Sequence, residues 1–261
     1  MSDLAARFHA AGVDWIVPDW AAPADVHAFF TTRNGSQGDP GSLDLGPGDI
    51  ASAPPATRAV VAGNRGRVQA FLPSPPVWLE QVHGADVIAV DGDATRARAL
   101  PRADAAVTHA PGVVLAVRVA DCLPVLLCDR LGTAIGVAHA GWRGLAAGVI
   151  ENTVTAMACE PAGIAAWLGP AIGPHAFEVG ADVLDAFVAA DAAAAHAFVP
   201  ARAGKWLADL DALARQRLAR AGVEQVSGMR ECTFSDARRF FSYRRDGATG
   251  RMGAFIWRTA A

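Results

Sequence analysis

Three short apolar runs in the middle of the chain constrain its fold more than any other feature of the sequence. They are Val113–Val119, Pro124–Cys128 and Ala134–His139, and each has the length and composition of a buried β-strand. The turn-forming segment Asp129–Gly132 separates the last two runs. Because a connection this short joins antiparallel strands, the sequence predicts a β-hairpin here.

The rest of the chain alternates between strand-like and helix-like composition. We predict further strands at Val26–Thr32, Val77–Val82, Val87–Val90, Ala165–Leu168, Gln225–Ser227 and Gly253–Arg258. Helices are predicted at Ala56–Ala70, at Arg143–Met157 and in the alanine-rich segments 181–197 and 205–221. This mixture predicts an α/β (or α+β) fold, a single domain over residues 26–261 with a central mixed β-sheet flanked by helices in a layered sandwich. Residues 1–25 are predicted to be a loose N-terminal leader, and residues 33–55 a long, turn-rich loop.

Composition excludes several classes of protein. Hydrophobic residues make up 52% of the chain, enough for a sizeable core. The net charge of −3 gives no electrostatic reason to expect nucleic acid as a partner. No run of about 18 apolar residues is present to span a membrane, and the N-terminus lacks the pattern of a signal peptide. With four cysteines that form no small-domain disulfide framework, we expect a soluble, cytoplasmic protein with free or metal-ligating thiols.

The hairpin suggests a metal site at one of its ends. If its turn is centred between Arg130 and Leu131, Cys122 lies directly opposite His139, with Cβ atoms roughly 4.5–5.5 Å apart. That separation suits two ligands of one ion, although a slip of one residue would send the side chains to opposite faces. His83 ends another β-rich run just before a glycine and is the candidate third ligand.

Two imidazoles and one thiolate would leave a fourth tetrahedral position open for water or substrate. This is the arrangement of a catalytic zinc ion rather than a structural one. Spacing alone leaves the alternative open, because a lone cysteine on a strand is most often a small core residue. A lone histidine near a glycine is likewise more often hydrogen-bonded than metal-bound.

At these residues the sequence resembles a known family. The segments that carry the resemblance include Trp78-Leu-Glu-Gln-Val-His-Gly-Ala-Asp, Ala103-Asp-Ala-Ala-Val-Thr, Ala120-Asp-Cys-Leu-Pro-Val-Leu, Ala138-His-Ala-Gly-Trp-Arg-Gly and Phe240-Phe-Ser-Tyr-Arg-Arg-Asp-Gly. Together they resemble the bacterial laccase-domain or polyphenol oxidase-like family, also called the peptidoglycan editing factor family, over about residues 26–258. One departure is Asp44, which stands where the family usually has asparagine.

The resemblance implies a function and a ligand set. Members of the family are regarded as zinc-dependent purine nucleoside phosphorylases with adenosine deaminase activity, so the implied partners are a purine nucleoside (adenosine, inosine or guanosine) and phosphate. It also implies that His83, Cys122 and His139 bind the catalytic zinc. Alternatives are an amidase that edits cytoplasmic peptidoglycan precursors and a metal-binding module without enzymatic activity. The oligomeric state stays open, a monomer included.

The histidine content argues against a copper oxidase. A complete multicopper centre needs about ten histidines, many of them in His-X-His pairs. The chain has seven, at positions 9, 27, 83, 109, 139, 175 and 196, and no two of them are spaced i, i+2. Copper is therefore expected at most as an adventitious occupant of the zinc site.

Other polar residues are candidates for substrate binding. Arg143 lies at the start of a predicted helix, where a guanidinium and unpaired N–H groups favour an anion such as phosphate. Arg33 and Asn34, in the first glycine-rich loop, are candidates for an anion or ribose site together with Asn64 and Arg65. The alternative for each is a solvated surface residue.

Two aspartates are candidates for supporting the metal ligands. Asp104 is expected to orient a ligand histidine through its second ring nitrogen. Asp121 adjoins Cys122, so on a regular strand it points to the opposite face and has a supporting or structural role. Three further residues, Tyr243, Arg244 and Arg245, are substrate-loop candidates, with a solvated basic turn as the alternative.

Overall fold

The computed structural model describes residues 3–36, 41–47, 51, 53–90 and 100–260. Residues 37–40, 48–50 and 52 of the predicted turn-rich loop therefore lie outside the described ranges. The strands are β1 (Val26–Phe30), β2 (Pro76–Val77), β3 (Val87–Ala89), β4 (Ala105–Thr108), β5 (Val114–Val119), β6 (Leu123–Asp129), β7 (Ile135–Ala140), β8 (Ile164–Leu168), β9 (Glu178–Gly180), β10 (Phe198–Pro200), β11 (Lys205–Ala208), β12 (Gln225–Gly228) and β13 (Met252–Arg258). The α-helices are α1 (Asp3–Ala10), α2 (Pro55–Gln69), α3 (Trp142–Ala146), α4 (Val149–Ala156), α5 (Ala181–Val188), α6 (Leu210–Arg220) and α7 (Tyr243–Asp246).

The strands form two large mixed sheets and one small one. The six-stranded sheet has the order β12-β8-β6-β7-β4-β3, and the four-stranded sheet has the order β1-β13-β5-β2. Each contains both parallel and antiparallel pairs. A three-stranded antiparallel sheet, β10-β11-β9, lies apart from them.

Alternating side chains in the central strands hold the layers together. In β6, Leu126 and Cys128 pack in one cluster with side chains of the four-stranded sheet, whereas Val125 and Leu127 pack with residues of α4, α5 and α6. The outer face of the four-stranded sheet packs against α1 and α2. Because both faces of β5, β6 and β7 are covered, these strands are apolar at nearly every position. The predicted α/β class with a mixed sheet and a layered sandwich is confirmed, and its centre consists of two sheets packed face to face.

The N-terminal segment differs from the predicted loose leader. Residues Asp3–Ala10 form a helix whose Leu4 and Phe8 are buried. Farther along, Trp15 stacks on Phe29 of β1 with ring centroids 5.5 Å apart. The prediction was wrong here because the i, i+4 spacing of two apolar residues provides a buried helix face.

Four other segments also depart from prediction. Lys205–Ala208, predicted as helix, is strand β11, and the helix begins only after Asp209, whose side chain accepts the N–H of Ala212 at 3.0 Å. The alanine-rich segment 181–197 holds α5 and a separate 3₁₀ helix at Ala192–Ala197. The predicted helix Arg143–Met157 is divided at Gly148, whose φ is 93°. The predicted strand Val77–Val82 is a strand only at Pro76–Val77.

Membrane insertion finds no support in the helices. No helix in the described part of the chain combines the length and apolar character required to cross a bilayer.

Candidate metal centre

Three side chains from separate parts of the chain converge at one end of the β6–β7 hairpin. His83 lies in the loop between β2 and β3, Cys122 directly precedes β6, and His139 is in β7. Their ligand atoms all lie within 4.8 Å of one another, and no other group of three or more His, Cys, Asp or Glu in the described ranges meets this condition. His139 is buried, Cys122 is half-buried and His83 is exposed, so the group opens toward solvent on one side.

The hairpin brings Cys122 and His139 together in a register that differs from the predicted one. Pro124, not Cys122, pairs with His139, because the turn spans residues 130–133 and is centred one residue later than predicted. The turn is stabilised by Asp129, which accepts the N–H of Thr133 at 2.6 Å and that of Ala134 at 2.8 Å. The predicted direct opposition is therefore wrong, but a shift of two residues preserves the face of each side chain.

Asp104 connects the two histidines. Its carboxylate accepts the Nδ1–H of His139 at 2.8 Å and the backbone N–H groups of Val82, His83 and Gly84 at 3.1, 2.9 and 2.7 Å. These bonds hold His83 in a left-handed conformation, with φ 61°, that few non-glycine residues adopt. One buried carboxylate thus fixes the ring of one candidate ligand and the backbone of another.

Gly141 leaves the space that Cys122 occupies. A Cβ atom at position 141 would lie 2.8 Å from the Cys122 sulfur and 3.3 Å from Cδ2 of His83. Any larger residue would displace one of the two side chains. Gly141, the first glycine of the Ala138-His-Ala-Gly-Trp-Arg-Gly segment, therefore belongs to the site. Its role was not predicted from the sequence.

The electrostatics of the site favour a thiolate. Burial raises the pKa of the Cys122 thiol, but the charge of His139 and hydrogen bonds from both histidines outweigh burial and lower the pKa to about 6. Burial lowers the pKa of His139, while the Cys122 thiolate and the hydrogen bond to Asp104 raise it to about 9. Cys122 and His139 thus stabilise each other as an ion pair, and a metal cation would take the place of the shared proton.

The donor set matches what zinc requires. It offers a thiolate and two imidazoles, and the hydrogen bond from Nδ1 of His139 to Asp104 leaves its Nε2 free to coordinate. The exposed side at His83 leaves room for a fourth ligand. These residues could hold a zinc ion with one position open.

Asp121 has left the regular strand geometry on which its prediction depended. Its φ of 89° lies in the left-handed region, and its side chain is buried. The carboxylate accepts hydrogen bonds from the hydroxyls of Thr233 and Ser242 and from the N–H of Arg244. It therefore joins the segment that carries Cys122 to the 232–246 segment, a connection that the sequence did not reveal.

The loop residues proposed for substrate binding are engaged with the protein. Arg33 donates to the carbonyl oxygens of Gly41 (2.8 Å) and Ala237 (2.9 Å), and Asn34 donates to Asp14.

Arg65 donates to the carbonyl oxygens of Leu45 and Pro47, and its guanidinium lies 4.4 Å from the centre of the Trp78 ring. Asn64, on the same helix, donates to the carbonyl oxygens of Ser42 and Asp44. The geometry of Arg33, Asn34 and Arg65 favours the stabilisation of loops.

Arg143 has a different environment. It is exposed at the start of α3, and its guanidinium lies 4.3 Å from the centre of the Trp142 ring. The described residues offer it no hydrogen bond and no ion pair. Because α3 has only five residues, its helix dipole contributes little here. The prediction that Arg143 binds an anion therefore depends on its guanidinium alone.

Comparisons with known proteins agree on one family. A family model described as multi-copper polyphenol oxidoreductase laccase matches residues 27–259. The purine nucleoside phosphorylase YfiH of Escherichia coli is 52% identical over 248 residues, covering 93% of this chain and 98% of that protein. A purine nucleoside phosphorylase of Pseudomonas aeruginosa is 51% identical over 246 residues, with the same coverage. A Neisseria meningitidis protein of known crystal structure is 48% identical with a TM-score of 0.86, covering 95% of this chain and 100% of that one.

Proposed function

Because the chain belongs to the family described as multi-copper polyphenol oxidoreductase laccase, whose relatives include proteins named purine nucleoside phosphorylase, we propose that it is a zinc-dependent purine nucleoside phosphorylase. The proposed reaction joins phosphate to C1′ of adenosine, inosine or guanosine and releases the free base and ribose 1-phosphate. Deamination of adenosine is its proposed second activity. The observation that carries the proposal is the His–Cys–His group, open on one side, in a chain about half identical to such enzymes.

The metal would be held by the three converging side chains. A zinc ion bound there supplies a Lewis acid that polarises an oxygen atom of the substrate. Cys122 contributes the negative charge that offsets the cation, and Asp104 fixes the ring of His139 and the backbone of His83. Zinc fits this donor set better than copper, because the described residues hold one three-ligand group and a multicopper centre requires several.

Arg143 is the residue we assign to phosphate. Its guanidinium lies over the Trp142 ring and has no hydrogen-bond or ion-pair partner among the described residues. Arg143 is two positions from Gly141, where an added Cβ atom would lie 2.8 Å from the Cys122 sulfur. A forked guanidinium suits the oxygens of phosphate. Arg33, Asn34 and Arg65 would act on the substrate indirectly, by holding the loops that surround it.

The proposal includes a cytoplasmic location. The Cys122 thiol must remain reduced to act as a ligand, which a reducing compartment ensures. The cysteines are all free in the structure.

The test is a product analysis with purified protein of measured zinc content. Adenosine or inosine is incubated with and without phosphate, and the products are separated by chromatography. We expect free base only when phosphate is present, and inosine from adenosine in its absence. A preparation with one zinc per chain that releases no base would refute the phosphorylase proposal.

A matched variant guards against contamination by a host phosphorylase. His83→Ala removes one proposed ligand at an exposed position and should abolish zinc binding and base release together. Base release that survives in His83→Ala would assign the activity to another protein.

A further inference from the structure

Helix α7 carries an exposed aromatic side chain, and the backbone around it is hydrogen-bonded to Asp121, the residue before Cys122. Tyr243, its first residue, is 61% exposed and is the only tyrosine in the chain. The described residues offer its hydroxyl no hydrogen bond. The two arginines that follow it are, by contrast, both engaged with the protein.

The backbone on both sides of Tyr243 is tied to one buried carboxylate. Asp121 accepts the Ser242 hydroxyl at 3.0 Å and the Arg244 N–H at 2.7 Å, both on the same carboxylate oxygen. Its other oxygen accepts the Thr233 hydroxyl at 2.6 Å. Because Asp121 directly precedes Cys122 in the chain, these bonds join the backbone around Tyr243 to the segment that carries the candidate ligand sulfur.

The side chains of Arg244 and Arg245 also hold this segment in place. Arg244 donates to the carbonyl oxygen of Glu178 at 2.8 Å and lies over the Phe177 ring. Arg245 donates to the carbonyl oxygens of Thr233, Phe234 and Phe240 at 2.8–2.9 Å. Tyr243 is the side chain of this triplet that remains available to a ligand.

An exposed aromatic ring on a backbone that is tied to the segment of a candidate metal ligand is suited to stacking. Aromatic rings bind nucleobases through their π-faces, and purines offer the larger face. The hydrogen bonds to Asp121 fix the backbone on both sides of this ring, so little backbone order remains to be gained when a base stacks on it.

We propose that the ring of Tyr243 stacks against the purine base of the substrate, and that Asp121 is the positioning residue that holds it there. The inference rests on the proposed function, because it assigns one half of that substrate to a named side chain.

A single tyrosine makes a direct test possible. Protein labelled with 3-fluorotyrosine should give one ¹⁹F resonance, from Tyr243. Adenosine or inosine should shift this resonance in a saturable way, whereas ribose, which lacks a base, should leave it unchanged. A resonance that stays in place at saturating nucleoside, in protein that carries out phosphorolysis, would overturn the proposal.

Variants of Tyr243 separate stacking from a structural role. Tyr243→Phe keeps the ring and should leave the KM for nucleoside within about twofold. Tyr243→Leu should raise that KM by about 5- to 150-fold, the range for loss of one stacking contact, with zinc content and the KM for phosphate unchanged. An equal rise in both KM values would indicate a general disturbance and would overturn the assignment.

Asp121 is tested through the same resonance. Asp121→Asn should narrow the ¹⁹F line, because the loop gains mobility, and should raise the KM for nucleoside at unchanged zinc content. Ser242→Ala removes one of the two flanking bonds without altering the neighbour of Cys122, and should give the same changes to a smaller extent. If neither variant changes the line width or the KM, Asp121 does not position Tyr243.

The two proposals can fail separately. A resonance that responds to nucleoside in protein without phosphorylase activity supports the Tyr243 contact and refutes the proposed reaction. Phosphorolysis with an unresponsive resonance refutes the Tyr243 contact alone.

Discussion

The two ends of the β6–β7 hairpin use the same residue types for opposite purposes. At one end Cys122 precedes β6 and Asp104 accepts hydrogen bonds from the neighbouring loop. At the other end Cys128 is the second-last residue of β6, and Asp129 accepts hydrogen bonds from the hairpin turn. Each end thus combines one cysteine with one aspartate that collects N–H groups.

The difference lies in what the aspartates hold. Asp129 satisfies Thr133 and Ala134 and closes a turn. Asp104 satisfies three successive N–H groups as well, but its remaining capacity goes to the ring of His139. A carboxylate that completes a loop becomes part of a functional site when one of its partners is a side chain that can bind a ligand.

The cysteines differ in the charges around them. Burial and the nearby Asp129 raise the pKa of Cys128 to about 12. At the other end the two histidines overcome the effect of burial and lower the pKa of Cys122 to about 6. Neighbouring charge, rather than burial, distinguishes the core cysteine Cys128 from the candidate metal ligand Cys122.

The largest expected effect comes from replacing Cys122, and Cys128 provides the matched control. Cys122→Ala should abolish zinc binding and reduce phosphorolysis by about 1,000-fold or more, since the metal supplies several kcal/mol to the transition state. Cys128→Ala should leave both unchanged and lower the free energy of unfolding by about 1 kcal/mol, the cost of a small cavity. Zinc analysis and denaturant unfolding of both variants measure the contrast, which collapses if Cys128→Ala also loses zinc.

Replacing either Asp104 or Asp129 by asparagine should have a smaller effect than loss of Cys122, and on a different property in each case. Asp104→Asn weakens the bond to His139 and should reduce zinc affinity by about 10- to 100-fold, as is usual for partners of metal ligands. Asp129→Asn should cost about 1–2 kcal/mol of stability through the turn and leave zinc affinity unchanged. Competition with a chelator gives the affinities. Equal zinc affinity in the Asp104→Asn and Asp129→Asn variants would contradict the role of Asp104.

The smallest effect needs no substitution. In metal-free protein, alkylation of Cys122 should become about tenfold faster between pH 5 and pH 7, because the thiolate fraction rises as pH passes the pKa of about 6. Cys128 should not react over this range, since its pKa is raised to about 12 and its side chain is fully buried. Mass spectrometry of iodoacetamide-treated peptides distinguishes the two. A pH-independent rate at Cys122 would mean that the histidines do not stabilise its thiolate.

Local patterns predicted the class of fold and the meeting of three ligands, but not the register that joins them. The apolar runs of β5, β6 and β7 are unmistakable because both of their faces are buried. The position of the turn depends on how Asp129 bonds to Thr133 and Ala134, which composition does not reveal. Strand alternation likewise failed at Asp121, whose left-handed φ removes it from the strand pattern.

Tertiary context decided the remaining differences. Lys205–Ala208 has the alanine and lysine content of a helix, yet pairs with β9 and β10 as a strand. The helix start at Asp209 was readable, because an aspartate before an apolar run is a frequent N-cap. Arg33 and Arg65 have the chemistry of anion binders, and only their bonds to backbone carbonyls show that they hold loops.

The hydrogen bonds between Asp104 and the 82–84 loop also set an order in time. Cys122 and His139 belong to one β-hairpin, formed by β6 and β7. His83 arrives only when its loop has docked onto Asp104, a contact between residues farther apart in the sequence. Since contacts within a hairpin close a shorter loop than contacts to a separate segment, we expect Cys122 and His139 to meet before His83 joins them. We therefore expect the proposed metal ion to bind after the 82–84 loop has docked rather than before it.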